Sequence, residues 1–173
     1  MENYKRQFKG KKITVMGLGI LGRGLGYTKF LAECGANLIV TDLKSKKQLA
    51  TSLKTLKKFV SARQDLAEIK FVLGEHRLED FRNKDIIIKS AGVPLDSIYI
   101  KEAQKNKILI EMDVSLFVKS ARNVIIIGVT GTRGKSMVTA LIYEILKKNE
   151  KFLKRNVYIG GNIRGIATLP LLK

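Results

Sequence analysis

The stretch KITVMGLGILG, residues 12–22, decides the fold. Its first five residues are rich in β-branched side chains, and glycines follow at positions 17, 19 and 22. The spacing G-x-G-x-x-G between a strand and a helix lets the chain turn tightly and brings its backbone close to a phosphate. The stretch therefore predicts a nucleotide-binding unit, and it does not fix which nucleotide binds.

Outward from this turn, apolar runs predict strands that alternate with helices. Strands are predicted at residues 12–19, 36–42, 69–74, 84–92 and 107–113, and helices at residues 21–35, 45–60 and 96–107. This alternation is typical of an α/β fold, in which helices cover a parallel sheet. Residues 115–123 look like a connector. We therefore expect one Rossmann-like domain over residues 1–120.

A second glycine-rich turn, GTRGKS at residues 131–136, follows another apolar run, VIIIGVTG. It resembles a P-loop, in which backbone N–H groups wrap a phosphate, a lysine neutralises the β and γ oxygens, and a hydroxyl completes a magnesium shell. Position 129 is a valine, where the strict motif has glycine. Apolar residues then recur at helical spacing up to position 146.

Residues 121–173 are therefore predicted to be the first β-α-β of a P-loop ATPase domain, with RNVYIGGNIRG, residues 155–165, as a further strand that runs into a glycine loop. A single β-α-β unit cannot cover both faces of its sheet. This second domain is expected to be incomplete.

Composition limits the class of protein. The net charge of +18 would suit a nucleic-acid binder, but the basic residues are spread along the chain without interleaved aromatic side chains, so no nucleic-acid partner is expected. No apolar run approaches the roughly 20 residues of a membrane span, and residues 1–12 lack the apolar stretch that a signal peptide carries. We expect a cytoplasmic protein without membrane insertion. The single cysteine, Cys34, excludes an internal disulfide, and the single histidine, His76, is expected at the surface.

The two turns together resemble the Mur ligase family of peptidoglycan synthesis and the related folylpolyglutamate synthases. TGTRGKS, residues 130–136, matches the family's ATP loop T-G-T-x-G-K-[ST], including the missing early glycine. GLGILG matches its G-L-G-x-x-G turn, KSAGVP at residues 89–94 resembles its S-P-G-[IV]-P turn, and GGNIRG at residues 160–165 resembles its G-G-N-I-G loop. The four motifs occur in the family's order and extend over nearly the whole chain.

This resemblance implies what each turn would hold. The first would bind the uridine diphosphate of UDP-MurNAc-L-alanine, and the second would bind ATP with Mg²⁺. The implied reaction joins D-glutamate to the substrate carboxylate through an acyl phosphate, in the cytoplasm and by a monomer. The two turns would thus bring two phosphorylated ligands together, and charge neutralisation and alignment would drive the reaction.

The resemblance also assigns roles to single residues. The expected ATP-binding residues are Gly131, Thr132, Arg133, Gly134, Lys135 and Ser136, with Lys135 as the catalytic residue and Ser136 as the magnesium ligand. The expected UDP-substrate residues are Gly19, Ile20, Leu21, Asp42, Leu43, Gly92 and Asn162. The position of Asp42, about 20 residues after the glycine turn, independently suits a bond to a ribose hydroxyl. Structural alternatives remain, because Asp42 could cap the next helix and Asn162 could hold a left-handed turn.

Two alternatives to a ligase remain open. The family's acidic magnesium ligand, its modified lysine and its C-terminal domain fall beyond residue 173, so this chain is expected to be inactive alone. It could instead be a non-catalytic UDP-sugar-binding module. An NAD-binding oxidoreductase domain is the other alternative, since the first turn alone would suit a dinucleotide. Departures from the family pattern leave the fine geometry open at Leu21, Ala91, Arg133 and Met137.

Overall fold

The structure, a computed structural model, describes residues 2–63, 65–66 and 68–173. Its strands are β1 (Lys12–Met16), β2 (Asn37–Asp42), β3 (Lys70–Leu73), β4 (Ile86–Lys89) and β5 (Leu109–Glu111). Its helices are α1 (Glu2–Phe8), α2 (Arg23–Glu33), α3 (Ala50–Ser61), α4 (Ile98–Lys105), α5 (Asp113–Ser120), α6 (Lys135–Lys148) and α7 (Glu150–Leu153). Two short 3₁₀ segments lie at Leu78–Phe81 and Leu169–Leu172.

The five strands form one parallel sheet in the order β3-β2-β1-β4-β5. This is the order of a doubly wound nucleotide-binding fold, in which the chain direction across the sheet reverses beside the first strand. The predicted α/β fold with a Rossmann-like parallel sheet is confirmed. Helices α2, α3 and α4 are also confirmed, each within a few residues of the predicted bounds.

The core lies on both faces of the sheet. Alternate residues of β4 belong to different apolar clusters, since Ile86 and Ile88 pack in one cluster and Ile87 in the other. The larger cluster contains Phe30 of α2 and Leu56 of α3, both fully buried. This alternation follows from the two-residue period of a strand. Packing on both faces of the sheet holds the carboxyl end of β1, and the glycine turn that follows it, between helices.

Residues 113–120 correct one prediction, because they form helix α5 where a connector was expected. The Ser115 hydroxyl accepts a hydrogen bond from the Met112 N–H at 2.9 Å, which caps the start of the helix. Leu116 is buried in the larger cluster. A helix of only eight residues is stabilised mainly by such tertiary packing, which a short sequence window does not reveal.

The second predicted unit forms only in part. Helix α6 covers the predicted helical residues, but residues 124–130 and 155–165 are not strands in the structure. A strand needs hydrogen-bonding neighbours, and none of the described residues pairs with either segment. Ile125 is accordingly 72% exposed, and α6 buries none of its residues. The β-α-β of a P-loop domain therefore remains a prediction, as does the domain division into residues 1–120 and 121–173.

His76 is buried, so the prediction that it lies at the surface is wrong. It is 9% exposed, and its ring lies edge-on to those of Phe81 and Tyr99. Its Nδ1 lies 2.7 Å from the Thr41 hydroxyl. Burial holds the pKa of His76 below its usual value, and the nearby carboxylates of Asp42 and Asp80 oppose that shift.

Candidate nucleotide-binding site

A cavity opens at the carboxyl ends of β1 and β4, where the strand order reverses. Backbone hydrogen bonds continue the sheet into it, from Gly17 N–H to Thr41 O at 2.8 Å and from Ser90 N–H to Met16 O at 3.0 Å. The cavity volume is about 470 Å³, which suits a nucleotide-sized ligand. It is lined by Gly17, Leu18, Gly19, Ile20, Leu21, Arg23, Gly24, Tyr27, Lys44, Ser90, Asn162, Ile163 and Arg164. In open α/β sheets, ligands bind in this crevice.

The glycine turn has the close backbone packing that its sequence predicts. Gly17 has a φ of 99°, and a Cβ there would lie 2.7 Å from the Ser90 hydroxyl. At Gly24, in the first turn of α2, a Cβ would lie 2.0 Å from the Leu18 carbonyl oxygen. A side chain at Gly17 would be strained by the positive φ and would displace the Ser90 hydroxyl, and a side chain at Gly24 would require the backbone to shift. The N-terminus of α2 is thus held close against the cavity, where its unpaired N–H groups favour an anion.

Asp42 holds the glycine turn in place through hydrogen bonds to its carboxylate. Its side chain is buried, with Oδ2 accepting from the Gly19 N–H at 2.8 Å and Oδ1 accepting from the Lys44 N–H at 2.9 Å. Ser52 of α3 adds a hydrogen bond from its hydroxyl to the Gly19 carbonyl at 3.1 Å. Asp42 does not line the cavity. A bond from Asp42 to a ribose would have to use the remaining lone pairs of oxygens that already accept backbone hydrogen bonds.

Tyr27 of α2 supports the first glycine. Its hydroxyl donates a hydrogen bond to the Gly17 carbonyl at 3.1 Å. Burial, reinforced by the negative charge of Asp113, raises the pKa of Tyr27 well above its usual value. Tyr27 therefore stays a neutral donor, and Gly17 keeps its carbonyl turned towards the helix.

The structure brings together some of the predicted substrate residues and not others. Gly19, Ile20, Leu21 and Asn162 line the cavity. The side chains of Ile20 and Leu21 are exposed there, so they are free to contact a ligand. Leu43 and Gly92 are exposed but do not line the cavity.

Three basic residues at the cavity were not among the predicted site residues. These are Arg23, Lys44 and Arg164. Arg23 is the first residue of α2, and Lys44 follows the end of β2 by two positions. Arg23 follows the glycine turn directly and Lys44 closely follows a strand. These positions could have identified the two residues, since such positions meet at the carboxyl edge of a parallel sheet.

The loop of residues 161–165 closes one side of the cavity. Arg23 donates to Asn162 Oδ1 at 2.5 Å and to the Gly161 carbonyl at 3.4 Å. The residues that follow the loop pack against α5 and the larger apolar cluster, and they hold the loop in place. The Thr168 N–H donates to Asp113 Oδ2 at 3.0 Å, and Leu169 is completely buried in the larger cluster. A segment from the second predicted domain is therefore fixed on the first.

The second glycine-rich turn leads directly into α6. Gly131 and Gly134 have φ values of 147° and 76°. Lys135 starts the helix, and its Nζ donates to the carbonyls of Gly131 at 2.5 Å and Thr132 at 3.5 Å. The ammonium group thus lies over the turn. The assignment of this turn as a P-loop remains a prediction, because the strand expected before it is not formed.

The order of the sheet and the cavity at its reversal point define an α/β protein of the Rossmann-like class. The family model of the N-terminal domain of MurD-like Mur ligases matches residues 11–111, so the chain belongs to the MurD-like Mur ligase family. The matched residues span β1 to β5 and include the glycine turn and Asp42.

Curated relatives extend the similarity over most of the chain. It is 40% identical over 163 residues to the UDP-N-acetylmuramoylalanine--D-glutamate ligase of Borreliella burgdorferi, covering 94% of this chain and 33% of the relative. The ligase of the same name from Treponema pallidum is 39% identical, with 94% and 28% covered, and that from Clostridioides difficile is 37% identical, with 90% and 31% covered. The chain spans about a third of the length of these relatives.

Among solved structures, the chain is similar to a pseudomurein peptide ligase type C from Methanothermus fervidus. The identity is 23%, the TM-score is 0.47, and 81% of this chain and 26% of that chain are covered. Among the described residues, no helix is both long and apolar enough to span a membrane.

Proposed function

We propose that the chain is the N-terminal portion of a ligase that adds D-glutamate to UDP-MurNAc-L-alanine with ATP. The observation that carries this proposal is the closure of the nucleotide cavity by the loop of residues 161–165. A ligand seated on the glycine turn would reach this loop, which follows the second glycine-rich turn and α6 in the chain. The substrate of a ligase must extend from one site to the other, because its nucleotide end is held while its carboxylate end meets ATP.

In this proposal, the first turn holds the uridine diphosphate. The N–H groups at the start of α2 and the side chains of Arg23, Lys44 and Arg164 supply positive charge to the two phosphates. Ile20 and Leu21 contact the ligand from the turn. Asp42 keeps the Gly19 backbone in place, and any ribose bond that it makes is additional to that role.

The second turn would bind ATP, whose γ-phosphate activates the substrate carboxylate. Gly131, Thr132, Arg133 and Gly134 would wrap the phosphates with backbone N–H groups, and Lys135 would neutralise their charge. The chemistry of this donor set fits a nucleoside triphosphate, because a flexible cation and a helix N-terminus face the same turn. Ser136 would supply one hydroxyl to Mg²⁺. Among the described residues, no cluster of His, Cys, Asp or Glu supplies a set of metal ligands.

We further propose that these 173 residues do not complete the reaction alone. Several apolar side chains of α6, including Leu141 and Ile145, are exposed, as are the four apolar residues of the run 124–127. Such surfaces need a sheet to pack against. The complete enzyme would act in the cytoplasm as a monomer, in peptidoglycan synthesis and hence in cell shape and division.

Calorimetric titration of the chain with UDP, NAD⁺ and ATP–Mg²⁺ tests the first half of this proposal. We expect UDP to bind and NAD⁺ not to bind. Binding of NAD⁺ without UDP would instead indicate an oxidoreductase domain. Binding of neither nucleotide would contradict a nucleotide role for the first turn.

A chimera tests the second half. Residues 1–173 would replace the equivalent third of the Borreliella burgdorferi relative, and incorporation of D-glutamate into UDP-MurNAc-L-alanine would be measured. We expect activity in the chimera and its loss in Lys135→Ala, while UDP still binds. A chimera that folds and binds both nucleotides without ligating would favour a UDP-sugar-binding module.

A further inference from the structure

Arg23 connects the two elements that face each other across the cavity. It belongs to the first turn of α2, beside the phosphate-binding glycines, and its guanidinium reaches the loop of residues 161–165. Asn162 lies 139 positions away in the chain, so no local constraint brings the two side chains together. Their contact exists because the residues after Asn162 pack onto the first domain.

The contact fixes which way the Asn162 amide faces. A guanidinium only donates hydrogen bonds, so the amide must present its oxygen to Arg23, at 2.5 Å. The amide nitrogen then keeps both of its hydrogens, and it makes no hydrogen bond to another described residue. Asn162 lines the cavity, so these two donors are available to a ligand. If the amide were turned over, it would direct donors at a cation.

The backbone around this pair is closely packed. A Cβ on Gly22, directly before Arg23, would lie 3.6 Å from the Gly165 Cα. A Cβ on Gly26, one turn further along α2, would lie 2.6 Å from the Ala167 Cβ. Residues 165 and 167 therefore lie close to the backbone at the start of α2. Arg23 as a whole is half-buried, whereas its hydrogen bond to Asn162 is exposed to solvent.

We infer that Arg23 is a positioning residue that orients Asn162 so that its amide donates to the part of the substrate beyond the diphosphate. This inference rests on the proposed function. The acceptors in that part of UDP-MurNAc-L-alanine include amide carbonyl and carboxylate oxygens, which two N–H donors suit. Arg23 thereby couples the phosphate end of the cavity to recognition of the sugar and its alanine.

The test compares two ligands in calorimetry, UDP and UDP-MurNAc-L-alanine, on the full chain. The variants are Arg23→Met, Asn162→Ala and the double variant. Arg164→Met is the matched control, since it removes one positive charge from the same cavity but breaks no contact with Asn162. Thermal unfolding of each variant verifies that it is folded.

We expect Arg164→Met to weaken both ligands by the same factor. Arg23→Met should weaken UDP similarly and UDP-MurNAc-L-alanine by about tenfold more, which is the contribution of one hydrogen bond. In the Asn162→Ala background, this additional loss should disappear, because Arg23 then has no amide to orient. In ¹⁵N spectra without ligand, Arg23→Met should also shift the Asn162 side-chain resonances, and Arg164→Met should not.

Two results would overturn the inference while leaving the proposed function intact. One is an equal loss for both ligands in Arg23→Met, which would make Arg23 a charge on the phosphates alone. The other is an additional loss that persists without the Asn162 amide. Failure of the unaltered chain to bind UDP would instead contradict the proposed function, and the role of Arg23 in substrate binding would fall with it.

Discussion

The Asp42 carboxylate holds the Gly19 backbone, with Oδ2 accepting from the Gly19 N–H at 2.8 Å. Its other oxygen accepts from the Lys44 N–H at 2.9 Å. One buried side chain therefore links the end of β2, the glycine turn after β1 and the start of the next loop. The shape of the cavity depends on this brace, since Gly19 and Lys44 both line it.

Replacing Asp42 tests the brace. Asp42→Ala leaves two backbone donors without their acceptors, and we expect the free energy of unfolding to fall by about 2–4 kcal/mol. Asp42→Asn keeps one acceptor and should cost less. Urea unfolding measures both, with Asp96→Ala at an exposed position as the control. Equal stability in Asp42→Ala and the control would show that the turn does not need the carboxylate.

Replacing Gly24 tests the close approach of α2 to the turn. Alanine normally favours a helix, but here its Cβ would lie 2.0 Å from the Leu18 carbonyl oxygen. We expect Gly24→Ala to lower the free energy of unfolding by about 1–3 kcal/mol and to weaken UDP binding. Gly128→Ala adds a Cβ in open space and should change neither quantity. A stabilising Gly24→Ala would mean that the turn lies further from the helix.

Replacing Leu169 tests whether the residues after the loop belong to the core of the first domain. Leu169 is fully buried, so Leu169→Ala should lower the free energy of unfolding by about 2–5 kcal/mol. Leu141→Ala, on the exposed face of α6, is the matched control, and its effect should stay within about 0.5 kcal/mol. Similar effects of the two substitutions would indicate that residues 166–172 are not docked.

His76 predicts a pH dependence of stability. Its pKa in the folded chain lies below the ordinary value of 6.5, so the unfolded chain binds a proton more readily. The contribution of neutral His76 to the free energy of unfolding is therefore fully present above pH 6.5, and it should be lost as the pH falls through the folded pKa. His76→Gln should remove this component in urea unfolding at pH 7 and pH 5. NMR titration of the single histidine should give a midpoint below 6.5, and a midpoint above it would contradict the buried position.

The sequence predicted the sheet because each of its signals was local. The β-branched run before Gly17 and the glycine spacing up to Gly22 together specify strand, turn and helix. Alternation of further runs then implied parallel strands. Helix α5 was missed because burial of Leu116 depends on residues that are distant in the chain.

Residues of the candidate site could be predicted only where they lie within a short sequence motif. Gly19, Ile20 and Leu21 were predicted because they lie within the glycine turn, and all three line the cavity. The contact of Arg23 with Asn162 was not predicted, because it depends on how residues 166–172 fold back onto α2 and α5. The strand predicted over residues 124–131 shows the opposite case, in which a strong local pattern does not form its element without neighbouring strands.

Mapping of UDP binding by ¹H–¹⁵N NMR tests the central claim most directly, namely that the cavity at the reversal point of the sheet binds a uridine diphosphate. We expect UDP to shift the backbone resonances of Gly17 and Gly19 and the side-chain resonances of Arg23, with α4 unaffected because it contributes no residue to the cavity. NAD⁺ at the same concentration should leave these resonances unchanged. Shifts of the same glycines by NAD⁺ and not by UDP would contradict the account.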